Sequence, residues 1–311
     1  MPPGPDGNTA AGRDDAAKQR PLRDIGQRLE AFRYANDLSA GCVAVRLGVS
    51  RSNLYRIEQG EIVKIDTLLK IADLLGTSAG ALLEDGTEFI PHAEVFFERV
   101  RQIEAGAQKI TNFFGPIAYL LTSKAYDELL ADMFMESRQQ GEGSGEAYRR
   151  ANRILAILAA RKDAYHALSP DLVVLVSKSE LKRTLAMAAA PPDNFSPALR
   201  MQFRRTMLGE VEHIAGIMEE HPLNVSAGVF PDTPHPSAFQ IVRQIGGRTI
   251  VQTSPFRLAS IPNIDLGVAT ITDNPDAVQH HETMMQTLWA RSAKGRDGAD
   301  MIRRLISEGI G

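Results

Sequence analysis

The sequence predicts an all-α five-helix module at residues 21–86, followed by a larger mixed α+β or α/β domain reached through a helical connector. Three observations support this fold class. The chain has 311 residues, enough for about two domains. Apolar residues recur at helical spacing from the start of the module, and β-branched apolar runs appear only much later in the chain. We therefore place the connector at residues 92–167 and the second domain at residues 168–311.

The composition is that of an ordinary globular protein, with 43% apolar and 23% charged residues. The net charge of −3 excludes a basic coat over the whole chain, so any nucleic-acid surface must be local. The single Cys42 excludes an intramolecular disulfide framework or a cysteine-rich zinc site. Because no apolar run approaches the length of a membrane span and the N-terminus has no apolar secretory segment, we expect a soluble cytoplasmic protein.

Residues 1–20 consist mainly of Pro, Gly, Ala and charged residues, with no large apolar side chain after Met1. Such a segment buries too little surface to offset the entropy lost on ordering, so we expect a disordered tail. Lys18, Arg20 and Arg23 lie where the tail joins the module. They are either solvated charges or an arm that contacts phosphates.

Each helix of the module has local start and stop signals. Ile25, Leu29 and Phe32 form one apolar stripe after Pro21. Ser39 and Ser50 are suited to N-cap two further helices, and Gly48 permits a sharp turn between them. A fourth helix is expected at about residues 65–75, and a short fifth one follows Ser78. Two helices joined by a tight glycine turn form a helix-turn-helix arrangement.

The 23 residues from Leu38 to Gly60, LSAGCVAVRLGVSRSNLYRIEQG, closely resemble the lambda-repressor/Cro-like (xenobiotic-response-element) helix-turn-helix family. The matching positions continue downstream through Leu75-Gly76 to Leu82-Leu83, over about 65 residues. This resemblance implies a DNA-binding module of a transcriptional regulator. It also implies an ion pair between Arg33 of the first helix and Glu58 at the end of the third.

In this family the second helix of the motif lies in the major groove and presents its N-terminal side chains to base edges. Carried over to this chain, the side chains that face the bases are Arg51, Ser52, Asn53, Tyr55 and Arg56. Arginine pairs well with guanine and asparagine with adenine, so the residue types suit the task. Three side chains are also placed to reach phosphates, namely Ser50, Arg46 and Tyr55. Leu54 and Ile57 should point inward.

Charge supports this interpretation only in part. Residues 21–60 hold six Lys or Arg against four Asp or Glu, whereas residues 21–86 hold eight against nine. Electrostatic attraction to DNA should therefore be modest, and we expect a homodimer to supply the affinity. The chain also departs from the family at Ala40-Gly41, where a glutamine commonly follows the Ser39 position. This departure puts one phosphate contact in doubt, and a protein-interaction scaffold is the alternative role for the module.

The connector contains an apolar stripe with alternating spacings of four and three, which predicts one helix from Phe96 to Phe114. This helix either forms a dimer interface or packs on its own domain. Further helices are expected at about residues 117–136 and 147–167, separated by a flexible loop at residues 139–145.

The second domain should contain strands near residues 172–176, 223–230, 238–242, 249–253 and 266–271. Helices are expected near residues 179–187, 197–220, 276–292 and 297–307. The layout resembles the C-terminal effector domains of many repressor-like helix-turn-helix regulators. The resemblance implies a sensing or dimerising half and identifies no ligand.

The sequence contains no set of residues that suggests catalysis, a cofactor or a metal site. We therefore expect no enzymatic activity. Polar residues near the predicted strands either anchor a small ligand or simply pack, and they are Arg243, Gln252, Ser254 and Arg257.

The prediction is a dimeric, cytoplasmic transcription regulator that binds a pseudo-palindromic double-stranded operator. A small-molecule effector is a candidate second partner. The alternatives are an antitoxin-like or protein-interaction regulator whose DNA module serves autoregulation, and an enzyme in the second domain. The sequence leaves open the operator, the effector, and whether the chain represses or activates.

Overall fold

The computed structural model describes residues 23–61, 64–83, 87–113, 115, 117–138, 144–230, 238–258 and 262–310. The predicted tail at residues 1–20 lies outside the described residues, and so does most of the predicted loop at 139–145. The chain divides into two compact units between Thr87 and Glu88. None of the described helices is both long and apolar enough to cross a membrane.

Unit 1 is helical, as predicted. Its helices are α1 (23–35), α2 (Ala40–Leu47), α3 (Arg51–Glu58), α4 (Ile65–Leu75) and α5 (Ala79–Leu83). The apolar stripes of these short helices face one another and form a single core. Buried members of that core come from all five helices and include Ile25, Leu47, Leu54, Ile71 and Leu82.

Unit 2 is a mixed α/β domain. Its helices are α6 (Ala93–Glu104), α7 (Lys124–Arg138), α8 (Ser144–Leu168), α9 (Lys178–Ala189), α10 (Pro197–Glu220), α11 (Pro275–Ala290) and α12 (Gly295–Ile310). Its strands are β1 (Thr87–Ile90), β2 (Ala107–Phe113), β3 (Asp171–Ser177), β4 (Val225–Phe230), β5 (Phe239–Gln244), β6 (Thr249–Thr253), β7 (Ala269–Thr272) and β8 (Ala293–Lys294).

The eight strands form one sheet in the order β1-β7-β6-β5-β2-β3-β4-β8. β2, β3 and β4 run parallel to one another, and β5 pairs antiparallel with β2. Successive residues of a strand point to opposite faces of the sheet. One face carries the large core that also contains α6 to α10 and α12, and the other face packs mainly against α11.

The predicted helical connector at residues 92–167 is wrong in its middle. The helix that begins at Ala93 ends at Glu104, and residues 107–113 form β2, a strand between β5 and β3. The prediction of one helix from Phe96 to Phe114 fails because two neighbouring strands pair with this segment. The part that is helical packs on its own domain, since Phe96, Val100 and Ile103 are all buried in the core of unit 2.

Candidate nucleic-acid interface

Two serine caps and one glycine turn set the geometry of α2 and α3. The Ser39 hydroxyl accepts a hydrogen bond from the backbone N–H of Cys42 at 3.2 Å, and the Ser50 hydroxyl accepts one from Asn53 at 3.1 Å. Between the helices, Gly48 has φ of +71°, a left-handed conformation that glycine adopts without a Cβ clash. Each cap satisfies a backbone donor that the helix start would otherwise leave unpaired.

The two faces of α3 differ completely in exposure. Leu54 is 0% and Ile57 is 2% exposed, because both pack into the core of unit 1. All the side chains that the family resemblance assigns to DNA are exposed, namely Ser50, Arg51, Ser52, Asn53, Tyr55 and Arg56 on or before α3 and Arg46 on α2. The residues predicted to touch DNA are therefore all accessible to solvent, and the residues predicted to point inward do so.

The ion pair that the resemblance implies between Arg33 and Glu58 is present. Arg33 donates hydrogen bonds from Nε and Nη2 to the two carboxylate oxygens of Glu58, at 2.7 and 3.0 Å. Both side chains are at least nine-tenths buried, and the hydrogen bond to Glu58 raises the pKa of Arg33. The guanidinium also lies 4.5 Å from the ring centre of Tyr34. This bidentate pair fixes the end of α3 to α1.

Backbone contact holds the same two helices together. A Cβ atom on Gly26 would lie 2.6 Å from the carbonyl oxygen of Glu58 and closer still to that of Ile57. At Gly60 the backbone turns away from α3 with φ of +89°, and a Cβ there would lie 2.7 Å from the Cα atom of Arg23. Glycine at both positions lets α1 lie directly against the end of α3.

The departure from the family pattern at Ala40-Gly41 has a structural counterpart. A Cβ atom on Gly41 would lie 2.6 Å from the guanidinium of Arg51. Arg51, at the start of α3, therefore occupies the space that a side chain on α2 would otherwise take. Sequence reasoning missed this contact, because a glycine gives no signal of which side chain uses the space beside it.

A second interaction on this surface pairs Arg56 with Glu61. The two side chains form a direct ion pair, although they are 65% and 47% exposed. The hydrogen bond from Arg56 lowers the pKa of Glu61, so the pair is fully charged at neutral pH. The sequence signal for this pair was only the proximity of two opposite charges across the end of α3.

Residues 24–85 match the sequence model of a family described as a helix-turn-helix domain. The match spans all five helices of unit 1, including the capped pair α2 and α3. Residues 24–85 are a helix-turn-helix domain. No curated protein matches the chain. Because the match ends with the helix-turn-helix domain, the resemblance of unit 2 to effector domains stays a prediction.

Among the described residues, no group of three or more His, Cys, Asp or Glu side chains is placed to hold a metal ion. Cys42 is only half-buried, one helical turn from the Ser39 cap. It lies within the helix-turn-helix domain and has no described thiol partner, since it is the chain's one cysteine.

Proposed function

We propose that the chain is a sequence-specific DNA-binding regulator of transcription. The observation that carries the proposal is the exposed polar face of α3 in a helix-turn-helix domain, opposite a buried face formed by Leu54, Ile57 and the ion-paired Glu58. Solvation alone does not require two arginines, an asparagine and a tyrosine together on the first two turns of one short helix. These residue types supply the donors and acceptors that base edges recognise.

In this proposal α3 lies in the major groove with its N-terminal end against the bases. Arg51 donates to guanine O6 and N7, and Asn53 both donates to and accepts from adenine. Ser50 and Arg46 reach phosphates on either side and fix the register of the helix. Arg56 must break its ion pair with Glu61 before it contacts DNA, because its guanidinium is already paired in the free domain.

A homodimer is the second part of the proposal. The net charge of residues 21–60 is only +2, from six basic and four acidic residues, so a single domain has a weak electrostatic attraction to DNA. Two copies would bind a pseudo-palindromic operator whose half-sites lie about one helical turn, roughly 34 Å, apart. We assign dimerisation and effector response to unit 2, with a regulatory role rather than an enzymatic one, in the cytoplasm.

Selection of bound DNA from a random pool tests the proposal directly. We expect the full chain to select a palindromic sequence. We expect Arg51→Ala and Asn53→Ala each to bind it about 5- to 100-fold more weakly and to lose preference at one base position. Arg46→Ala should weaken binding to all sequences alike and reduce the salt dependence by about one phosphate contact.

Lys124→Ala is the matched control, because it removes an exposed basic residue of unit 2, outside the helix-turn-helix domain. It should bind with unchanged affinity. If Arg51→Ala and Asn53→Ala select the same sequence at unchanged affinity, or if the wild type selects no sequence at low salt, the assignment of α3 to base recognition is wrong.

A further inference from the structure

Unit 2 encloses a cavity of about 60 Å³ between one face of its sheet and the helices α6 and α8. Aromatic side chains form much of its wall, namely Phe96, Phe97, Tyr119, Tyr126 and Phe256. The phenol of Tyr126 is fully buried and donates a hydrogen bond to the carbonyl of Leu258 at 2.7 Å. Burial raises the pKa of both Tyr119 and Tyr126, so their phenols stay neutral.

The floor of the cavity contains carboxamide side chains from adjacent strands. Asn112 of β2 is the register partner of Gln240 of β5, and Gln240 is the register partner of Gln252 of β6. The three residues lie side by side on the same face of the sheet. They are 6%, 2% and 0% exposed, and the first two line the cavity.

Among the described residues, the protein forms a hydrogen bond with the middle amide of this row alone. Gln240 donates a hydrogen bond to Glu104 at 2.7 Å, and Arg161 donates two to the same carboxylate, each at 2.9 Å. Within the part of the chain that the structure describes, no hydrogen bond is formed by the side chain of Asn112. Neither amide atom of Gln252 has a described partner.

An amide buried without a hydrogen bond is costly, and native proteins rarely leave one so. Asn112 borders an enclosed space, so a bound molecule can supply the missing partner. Away from the rim the charges around that space cancel, because Arg161 is neutralised by Glu104 in a buried bidentate pair. An anion in the cavity would lose its hydration and gain no free cation in exchange, since the exposed Arg257 is at the rim. A neutral group that both donates and accepts meets no such cost.

The space on the other face of the sheet is larger, about 370 Å³, and more open. Lys109 and Arg243 line it, and Arg243 is paired with Glu282 at 3.0 Å. Among the described residues that line it, the buried ones are Ile241 and Met285, and both are apolar. The smaller cavity is therefore the one whose chemistry calls for a ligand.

We propose that the cavity beside Asn112 binds the amide head group of a small, neutral, ring-bearing molecule, and that this molecule is the effector of the regulator. The effector role rests on the proposed function, whereas the binding itself does not. A cavity of about 150 Å³ holds benzene, so this one accepts the head group alone. The ring of the ligand lies toward the rim, near Leu258 and Arg257.

Calorimetric titration of the full chain with three matched probes tests the binding. Benzamide donates and accepts, acetophenone only accepts, and benzoate is an anion of nearly the same shape. We expect benzamide to bind about tenfold more tightly than either of the others, because one hydrogen bond or one uncompensated charge separates them. Equal affinities, or tighter binding of benzoate, would overturn the proposal.

Two variants locate the site. Asn112→Leu replaces an unpartnered amide with an apolar side chain of similar size, and Val100→Ile fills part of the cavity with one methyl group. Both should bind benzamide at least about tenfold more weakly. Thr111→Val is the control, because Thr111 directly precedes Asn112 in β2 and lines the space on the opposite face of the sheet. If Asn112→Leu and Val100→Ile both bind benzamide as the wild type does, the ligand is elsewhere and the proposal fails.

The effector role is measured separately, as the change in affinity for the selected DNA when benzamide is added. We expect at least a severalfold change in the wild type and none in Asn112→Leu. Arg51→Ala should lose DNA affinity but bind benzamide normally. If the wild type binds benzamide but selects no DNA, only the DNA assignment fails, whereas benzamide binding with no effect on DNA affinity overturns the effector role.

Discussion

The helix-turn-helix domain and unit 2 place their distinctive polar side chains in opposite environments. On α3 the polar residues from Arg51 to Arg56 are exposed, and Leu54 and Ile57 beneath them pack into an apolar core. In unit 2 the carboxamides of Asn112, Gln240 and Gln252 are buried on a sheet face, beside the large apolar core and the buried ion pair of Arg161 with Glu104. Polar residues on α3 are available to a large, charged partner. The carboxamides inside unit 2 are accessible only to a molecule small enough to enter the domain.

This difference in exposure also predicts whether a substitution changes ligand binding or stability. Exposed residues of α3 should contribute little to folding, so under the proposed function their replacement should change DNA affinity alone. Substitution of a buried polar group should first change the free energy of unfolding. The sign of that change depends on whether the group has a hydrogen-bond or ion-pair partner.

Glu58→Ala should have the largest effect on stability. It leaves the buried guanidinium of Arg33 without its carboxylate partner, a change that costs about 3 kcal/mol or more in the free energy of unfolding. Urea denaturation followed by circular dichroism measures this loss, which should fall on the transition of unit 1. Glu61→Ala, which removes an exposed acid beside α3, is the control and should leave stability nearly unchanged. A similar loss in both variants would mean that burial of the pair does not matter.

Two glycine substitutions should act in opposite directions. Gly26→Ala places a methyl group against backbone carbonyls that cannot move aside, and we expect it to lower the free energy of unfolding by about 2 kcal/mol. Gly41→Ala meets only the flexible end of Arg51, and it should raise stability by up to about 1 kcal/mol through helix propensity. Thermal unfolding compares the two. The same Gly41→Ala variant should alter DNA affinity because it displaces Arg51, and unchanged affinity would count against the role of that contact.

Gln252→Met should stabilise unit 2. The substitution removes a buried amide that has no described partner and keeps the shape of the side chain, so the free energy of unfolding should rise by about 1 kcal/mol. Gln240→Met is the matched comparison, because it breaks the hydrogen bond to Glu104 and should destabilise. Chemical denaturation of both variants decides the matter. If Gln252→Met also destabilises, its amide has a partner that the fold alone does not supply.

Glu61→Gln should have the smallest effect, and only on DNA binding. It releases Arg56 from an exposed ion pair, so affinity for the selected operator should rise about twofold at low salt. The gain should shrink as salt is added, since screening weakens the original pair as well. Titration with labelled operator at two salt concentrations measures it. Weaker binding by Glu61→Gln would show that Glu61 itself assists the contact with DNA.

Unit 1 was predictable because its signals are local. Ser39, Gly48 and Ser50 each act within one helical turn of their own position, and the structure shows them capping and turning as expected. Strands β3 to β7 were also predictable, from short β-branched runs and from the Gly246-Gly247 turn, where Gly247 has φ of +82°.

The failure in unit 2 has the opposite cause. Ala107 and Ile110 continue the spacing of the preceding helix, and only pairing with β3 and β5 turns the segment into a strand. Once β2 was taken for helix, Asn112 could not be placed beside Gln240, which lies more than a hundred residues away. Of the four predicted ligand anchors, Arg257 borders the small cavity, Gln252 extends its carboxamide row, and Arg243 lines the opposite face. The hydroxyl of Ser254 is occupied by the backbone N–H of Phe256.

Because their backbones approach closely at Gly26, we expect α1 and α3 to move as one rigid body. Where two backbones are in direct contact, no flexible side chain lies between them that could change rotamer and absorb a displacement. We therefore expect a displacement of α1 to move α3 with it, because the ion pair between Arg33 and Glu58 also joins the two helices.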